Sequence, residues 1–184
     1  MNFSNSEKKF VSNRLKSILL NSDSDHLKQI IENMRISNTL DNPIFENNLT
    51  LLYMCAVYNN FKAFEITYSY TKNRLPVDDK GTDMLVYILS NKFTQERANI
   101  IQHMIDKKRN YIKKFMSELL ILTINLKSNE WFDYFMSSFN LDKCYQDKHS
   151  NNYLHHAVIS KNFYIIHSLR ILNLYFAVCF RRFA

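Results

Sequence analysis

Asp147-Lys148-His149-Ser150-Asn151-Asn152-Tyr153-Leu154-His155-His156-Ala157-Val158 sets a cluster of turn-forming residues directly ahead of a short apolar segment with two adjacent histidines. Asp, Ser and Asn hydrogen-bond to nearby backbone in turns and at helix starts, so the stretch reads as a turn running into a helix. Histidines in such a place are either ligands or braces. Zinc needs three or four donors converging on one point, and neighbours on a helix project about 100° apart. His155 and His156 are therefore poorly placed to share an ion. Cys144 and His149 lie close in sequence, but no C-x-x-C or H-E-x-x-H accompanies them. The pair is read as structural, with no metal and no cofactor expected.

Working outward, the apolar part of this stretch has counterparts upstream. Leu51-Leu52-Tyr53-Met54-Cys55-Ala56, Met84-Leu85-Val86-Tyr87-Ile88-Leu89, Leu119-Leu120-Ile121-Leu122-Thr123-Ile124 and Tyr153 to Val158 end at 56, 89, 124 and 158. The gaps are 33, 35 and 34, a period of the kind helical-repeat arrays show. Leu27, Ile30 and Ile31 fall where Phe61 and Phe64 stand one period later, so Val11 to Met34 makes an atypical first unit. Terminal units of an array are expected to be irregular. From Leu89 to Ile100 is eleven positions where Ala56 to Phe64 is eight, which predicts a longer inter-helix loop around Lys92 to Glu96.

Capping residues support helices within each unit. Asp25 precedes LKQIIENM, Asn60 precedes FKAFEITYSY and Asn129 precedes EWFDYFMSSF, each ahead of apolar residues at three- and four-residue spacing. Helices this short are marginal alone and must stack on neighbours. Trp131, Phe132 and Phe135 are assigned to that packing, with Tyr134 and Phe139 left as exposed aromatics. Composition agrees with an all-α fold. There is one glycine, Gly81, and two prolines, Pro43 and Pro76, against average usage of about 7% and about 5%. Tight β-hairpins demand glycine. A chain of 184 residues with 46% hydrophobic content can bury a substantial core.

Turn, helix, helix at about 33 residues resembles the ankyrin-repeat family, whose first helix opens with T-P-L-H-x-A. Asn152, Tyr153, Leu154, His155 and Ala157 stand at the T, P, L, H and A positions, with Asp147 and Ser150 in the turn; Asp78, Gly81, Asp83 and Leu85 make the next best match. No unit keeps the proline, and Asn48 and Ser150 replace the turn glycine. The resemblance implies an ankyrin-like helical-repeat solenoid of about five units over residues 1–172. Residues 173–184 then form a C-terminal capping segment or tail. It implies that His155 braces the turn by hydrogen bonding. It also implies a non-enzymatic protein-protein interaction module whose contact positions are Asp79, Lys80 and Thr82, then Lys148, His149 and Asn151, then Tyr58, Asn91 and Ser160. Short, AT-biased chains of this kind resemble ankyrin proteins of large DNA viruses, polydnaviruses and intracellular bacteria that bind host proteins. In the polydnavirus case these are IκB-like inhibitors of NF-κB.

Other readings are weaker on the residues. No G-x-S-x-G, glycine-rich phosphate loop or activated cysteine is present, so no catalytic residues are assigned. Lys and Arg outnumber Asp and Glu by 24 to 17, a net charge of +7, which makes a basic protein binding nucleic acid or an anionic surface the alternative. The basic run Asp106 to Asn110 with Lys113 and Lys114 is read as a solvated loop and helix start, with a nuclear import signal or phosphate-binding stripe as its functional alternatives. Cys55, Cys144 and Cys179 are odd in number and widely spaced, which suits a reducing, cytoplasmic compartment, with nuclear entry open. The apolar run Ile171 to Phe180 is ten residues and interrupted by Asn173, too short for a bilayer span of about 20.

Overall fold

A computed structural model describes residues 5–21, 23–107, 112–141 and 145–172. Among these residues the protein is all-α. Its helices are α1 (Asn5–Asn21), α2 (Ser24–Ile36), α3 (Leu51–Val57), α4 (Phe61–Tyr70), α5 (Met84–Ser90), α6 (Gln95–Asp106), α7 (Ile112–Asn125), α8 (Asn129–Ser138), α9 (Tyr153–Ile159) and α10 (Phe163–Leu172). A 3-10 turn at Glu46–Asn48 and an isolated antiparallel bridge between Val77 and Asp83 complete the described secondary structure.

The helices fall in pairs, and the residue that opens each second helix recurs every 34 positions: Asn60, Thr94, Ser128, Asn162. Asn60 Oδ1 accepts the Ala63 N–H at 2.9 Å, Thr94 Oγ1 the Arg97 N–H at 3.3 Å and Asn162 Oδ1 the Ile165 N–H at 3.2 Å. Each bond satisfies one of the donors that a helix start leaves orphaned. Ser128 holds the same place without a side-chain bond. Asn129, expected as the cap, is instead the first helical residue of α8, and its side chain accepts from Asn162 Nδ2 at 2.9 Å. At α2 the cap is Asp23, two residues ahead of the expected Asp25, and its carboxylate accepts the His26 N–H at 3.1 Å.

Three of the four first helices end in the same tight turn. Asn59, Lys127 and Lys161 adopt left-handed backbone with φ of 57°, 57° and 54°. The next amide reaches back five residues: Asn60 to Cys55 (2.9 Å), Ser128 to Thr123 (3.0 Å) and Asn162 to Ala157 (3.1 Å). This double closure of the last helical turn ordinarily recruits glycine, because a Cβ costs about 1 kcal/mol or more there. Between α5 and α6 the connection is the four residues 91–94, one longer than the three between α3 and α4. The predicted longer loop is real but shorter than anticipated, since the cap register equates Ala98, not Ile100, with Phe64.

The turns ahead of the first helices also repeat. The Asp78 carboxylate accepts the N–H of Lys80 (2.9 Å) and Thr82 (2.8 Å), while its own N–H donates to the Thr82 carbonyl (3.0 Å). Asp147 does the same with His149 (2.8 Å), Asn151 (2.9 Å) and the Asn151 carbonyl (3.0 Å). Gly81 (φ 78°) and Ser150 (φ 62°) turn the chain at equivalent places, and Asn48 (φ 61°) does so ahead of α3. The third pair differs. Its first helix, α7, runs for 14 residues where α3, α5 and α9 have seven, so a longer helix occupies part of the register that a turn holds elsewhere.

Packing defines two compact units, one built from residues to Ile88 with Thr94–His103, the other from Leu89–Phe93 with residues from Met104 onward. In the first, α1 packs on α2, α3 on α4, and α2 on α4. Asn60 Nδ2 donates to the Leu19 carbonyl at 2.8 Å, tying the start of α4 to α1. Tyr53 meets the Tyr87 ring at 5.5 Å, and His103 stands edge-on to Phe64 and Tyr68. In the second unit α7 packs on α8, α9 on α10, α7 on α9 and α8 on α10, so first helix meets first and second meets second. Tyr153 Oη–H bonds Ser117 Oγ at 2.8 Å inside that stack. Trp131, Phe132 and Phe135 are fully buried there, each burial contributing on the order of 2 kcal/mol or more. Tyr134 and Phe139 are half-buried in the same ring cluster rather than exposed. The atypical first pair is longer than expected, since α1 begins at Asn5 and spans 17 residues.

Candidate interaction surface

The turn ahead of α9 is the most fully built of the candidate positions. Its aspartate makes five polar contacts: two backbone amides through Oδ1, His156 Nε2 through Oδ2 at 3.0 Å, its own amide to the Asn151 carbonyl, and the Ser150 amide to its carbonyl at 3.0 Å. The amides of Asn151 and His149, with His156, hold the Asp147 carboxyl down at about 2. His155 closes the start of α9. Its backbone N–H donates to Asn152 Oδ1 at 3.1 Å while its Nδ1 accepts the Asn152 N–H at 3.2 Å, a reciprocal capping box. Both histidines are thus engaged in holding a turn and a helix start. Among the described residues no group of three His, Cys, Asp or Glu is placed to hold a metal ion. Cys144 lies outside the described residues.

With the backbone fixed this way, the side chains between the anchors point outward. Lys148 and His149 are exposed in this turn, as are Asp79 and Lys80 in the turn ahead of α5. Thr82 and Asn151 are half-buried, and their amides and carbonyls both serve the turn. Asp79 N–H also donates to the Asn47 carbonyl at 2.9 Å, linking adjacent turns within the first unit.

The remaining candidates lie at the other ends of the first helices. Tyr58 and Ser160 are the C-caps of α3 and α9, and Asn91 follows α5. All three are half-buried. The Asn91 carbonyl accepts the Trp131 Nε1–H at 3.2 Å. A seven-residue helix is about 10 Å long, so the nine predicted residues divide between turn tips and helix ends. Of the basic run, Lys107 and Lys114 are exposed, and Lys108 to Asn110 lie outside the described residues.

Sequence reading missed an apolar patch. Val158, Ile159 and Phe163 are more than half exposed on the last helix pair. Val158 continues an apolar register, Ala56, Leu89 and Ile124, that is buried in the earlier pairs, whereas the registers of Ile159 and Phe163 hold polar residues such as Ser90, Asn125, Gln95 and Asn129. Cys55, by contrast, is sealed in the core beside Thr67, and burial pushes its thiol up to about 12, away from any reactive role. No helix of the described residues is long and apolar enough to cross a membrane. No protein-family model and no curated protein matches the chain.

Proposed function

We propose that the chain is an ankyrin-type repeat protein that acts without catalysis, binding a protein partner through its turn tips and first-helix ends. The observation that supports this most is the duplicated aspartate turn. Two turns 69 residues apart make the same four bonds, two amides to the aspartate carboxylate, the Gly81 or Ser150 amide to its carbonyl and its own amide to the Thr82 or Asn151 carbonyl, and leave Asp79, Lys80, Lys148 and His149 free of core duty. Rigid tips lose little conformational entropy on docking, which is where presented side chains gain affinity. The partner is proposed to be a host protein in the cytoplasm or nucleus, and the resemblance directs the first trial to transcription factors of the NF-κB class.

The test is capture of a candidate partner by the protein and by the Lys80→Glu, Lys148→Glu double variant. Both lysines are exposed, so the variant keeps its melting temperature while capture weakens by about tenfold. Unchanged capture would reject the turn tips as the binding face. The net charge of +7 favours one other reading, a nucleic-acid or anionic-surface binder. There, counterion release makes affinity fall steeply with salt, with a log-log slope near the number of phosphates contacted. A protein interface with an apolar centre has a much shallower dependence.

A further inference from the structure

The first helix carries much of the chain's positive charge. From Lys8 to Asn21 it holds Lys8, Lys9, Arg14 and Lys16 and no acidic residue, a run of +4 in a chain of net +7. Glu7 and Asp23 flank the run, and the Asp23 carboxylate is committed to His26. On the next helix the basic groups are answered locally, Lys28 by Asp25 and Arg35 by Glu32. Among the described residues no ion pair engages a basic group of α1.

This helix is anchored along one side. Leu15, Ile18 and Leu19 are buried, and the Leu19 carbonyl accepts Asn60 Nδ2. At 100° per residue, Lys9, Phe10, Asn13, Arg14, Ser17 and Leu20 fall within an arc of about 140° on the opposite side. All of them are exposed, and Lys16 lies half-buried at the edge of the arc. Phe10 is 69% exposed and Leu20 67%. A lone exposed leucine is ordinary. A phenylalanine and a leucine ~15 Å apart on a face whose charges are all unpaired cations is the composition of helices that lie in a bilayer interface.

We propose that α1 is a peripheral membrane contact, laid flat on an anionic bilayer with Lys9, Arg14 and Lys16 among the lipid headgroups and Phe10 and Leu20 inserted at the acyl boundary. The cations draw the helix to the surface, and the apolar pair holds it there. A nucleic-acid strand would use the same cations but gives Leu20 no role, since leucine neither stacks on a base nor hydrogen-bonds to one. The contact holds whether or not the turn tips bind a protein.

Co-sedimentation of the full chain with vesicles tests it. Binding is expected to phosphatidylcholine vesicles containing about one third phosphatidylserine, and not to phosphatidylcholine alone. Lys9→Gln, Arg14→Gln should lower the partition coefficient about thirtyfold and Phe10→Asn, Leu20→Asn about tenfold or more, each with an unchanged melting temperature because these residues are exposed. The Lys80→Glu, Lys148→Glu variant removes more net charge, yet should lose no more than about threefold, because surface charge acts within a Debye length. Failure of the parent to bind anionic vesicles would overturn the proposal. Equal losses in the α1 and turn-tip variants would also overturn it, assigning the binding to net charge instead of the helix. Capture of duplex DNA that depends on Lys9 and Arg14, without vesicle binding, would overturn it in favour of nucleic acid.

Discussion

Asp147 concentrates the logic of the turn in one side chain. Its folded pKa of about 2 lies below the ordinary 3.8, so the stabilisation it provides is complete above about pH 4 and is lost as pH falls toward 2. Asp147→Asn keeps the shape but weakens the charge-assisted bonds to His149 and Asn151. The variant is expected to melt lower than the parent at pH 6, with the difference shrinking as thermal scans move from pH 4 to pH 2. The left-handed turn residues behave differently, because their cost is backbone strain. Nothing lies within 4 Å of a Cβ built on Gly81, so Gly81→Ala should lose about 1 kcal/mol by strain alone. Ser150→Gly, at φ 62°, should gain up to about 1 kcal/mol in urea denaturation. Asp147 and Ser150 were legible as turn residues because Asp and Ser favour turns by known bonding. Lys127 and Lys161 were not, since lysine has no preference for left-handed backbone that a pattern could detect.

At the scale of the helix, side-chain caps carry register. Asn162 is 6% exposed, accepts the Ile165 N–H and donates to Asn129, so its removal strands polar groups on two helices. Asn162→Ala is expected to cost about 2 kcal/mol in chemical denaturation, and Asn162→Asp about half that, because the carboxylate still caps α10 but cannot donate to Asn129. Asn60 was readable as a cap because an apolar run starts beside it. Asn129 misled by one residue, since Ser128 and Asn129 are both capping types and only the packing of Asn162 against Asn129 separates them. Of α7, the helix start near Lys113 and the apolar segment Leu119 to Ile124 were legible, but its length of 14 residues was not. Its early part falls where a turn was expected by phase, and Ile112 to Glu118 has neither Asp-x-x-Gly nor proline to mark a boundary in either direction. Sequence reading thus recovered the helical class and the period of about 34, and it placed the turn tips ahead of α5 and α9. It did not anticipate the open apolar face of the last pair, because an apolar column looks alike whether or not something lies on it.

For the whole molecule, charge sets the response to salt. The described ion pairs Lys28–Asp25, Arg35–Glu32 and Lys114–Glu118 are exposed at both partners, and such pairs are worth little. A net charge of +7 opposes compaction throughout the chain. Screening should therefore relieve more repulsion than it removes attraction, and the melting temperature should rise between ~20 mM and ~200 mM sodium chloride; a fall would place the dominant charge effects in specific pairs. A different whole-molecule readout is supplied by Trp131, the chain's single tryptophan. Its indole is clasped by Phe93 and the Asn91 carbonyl, partners drawn from the same compact unit. The native fluorophore is consequently a local spectator, reporting on one half of the polypeptide, whereas circular dichroism sums every helix. Superimposing the two optical traces during denaturation would reveal whether the halves come apart in concert or in succession.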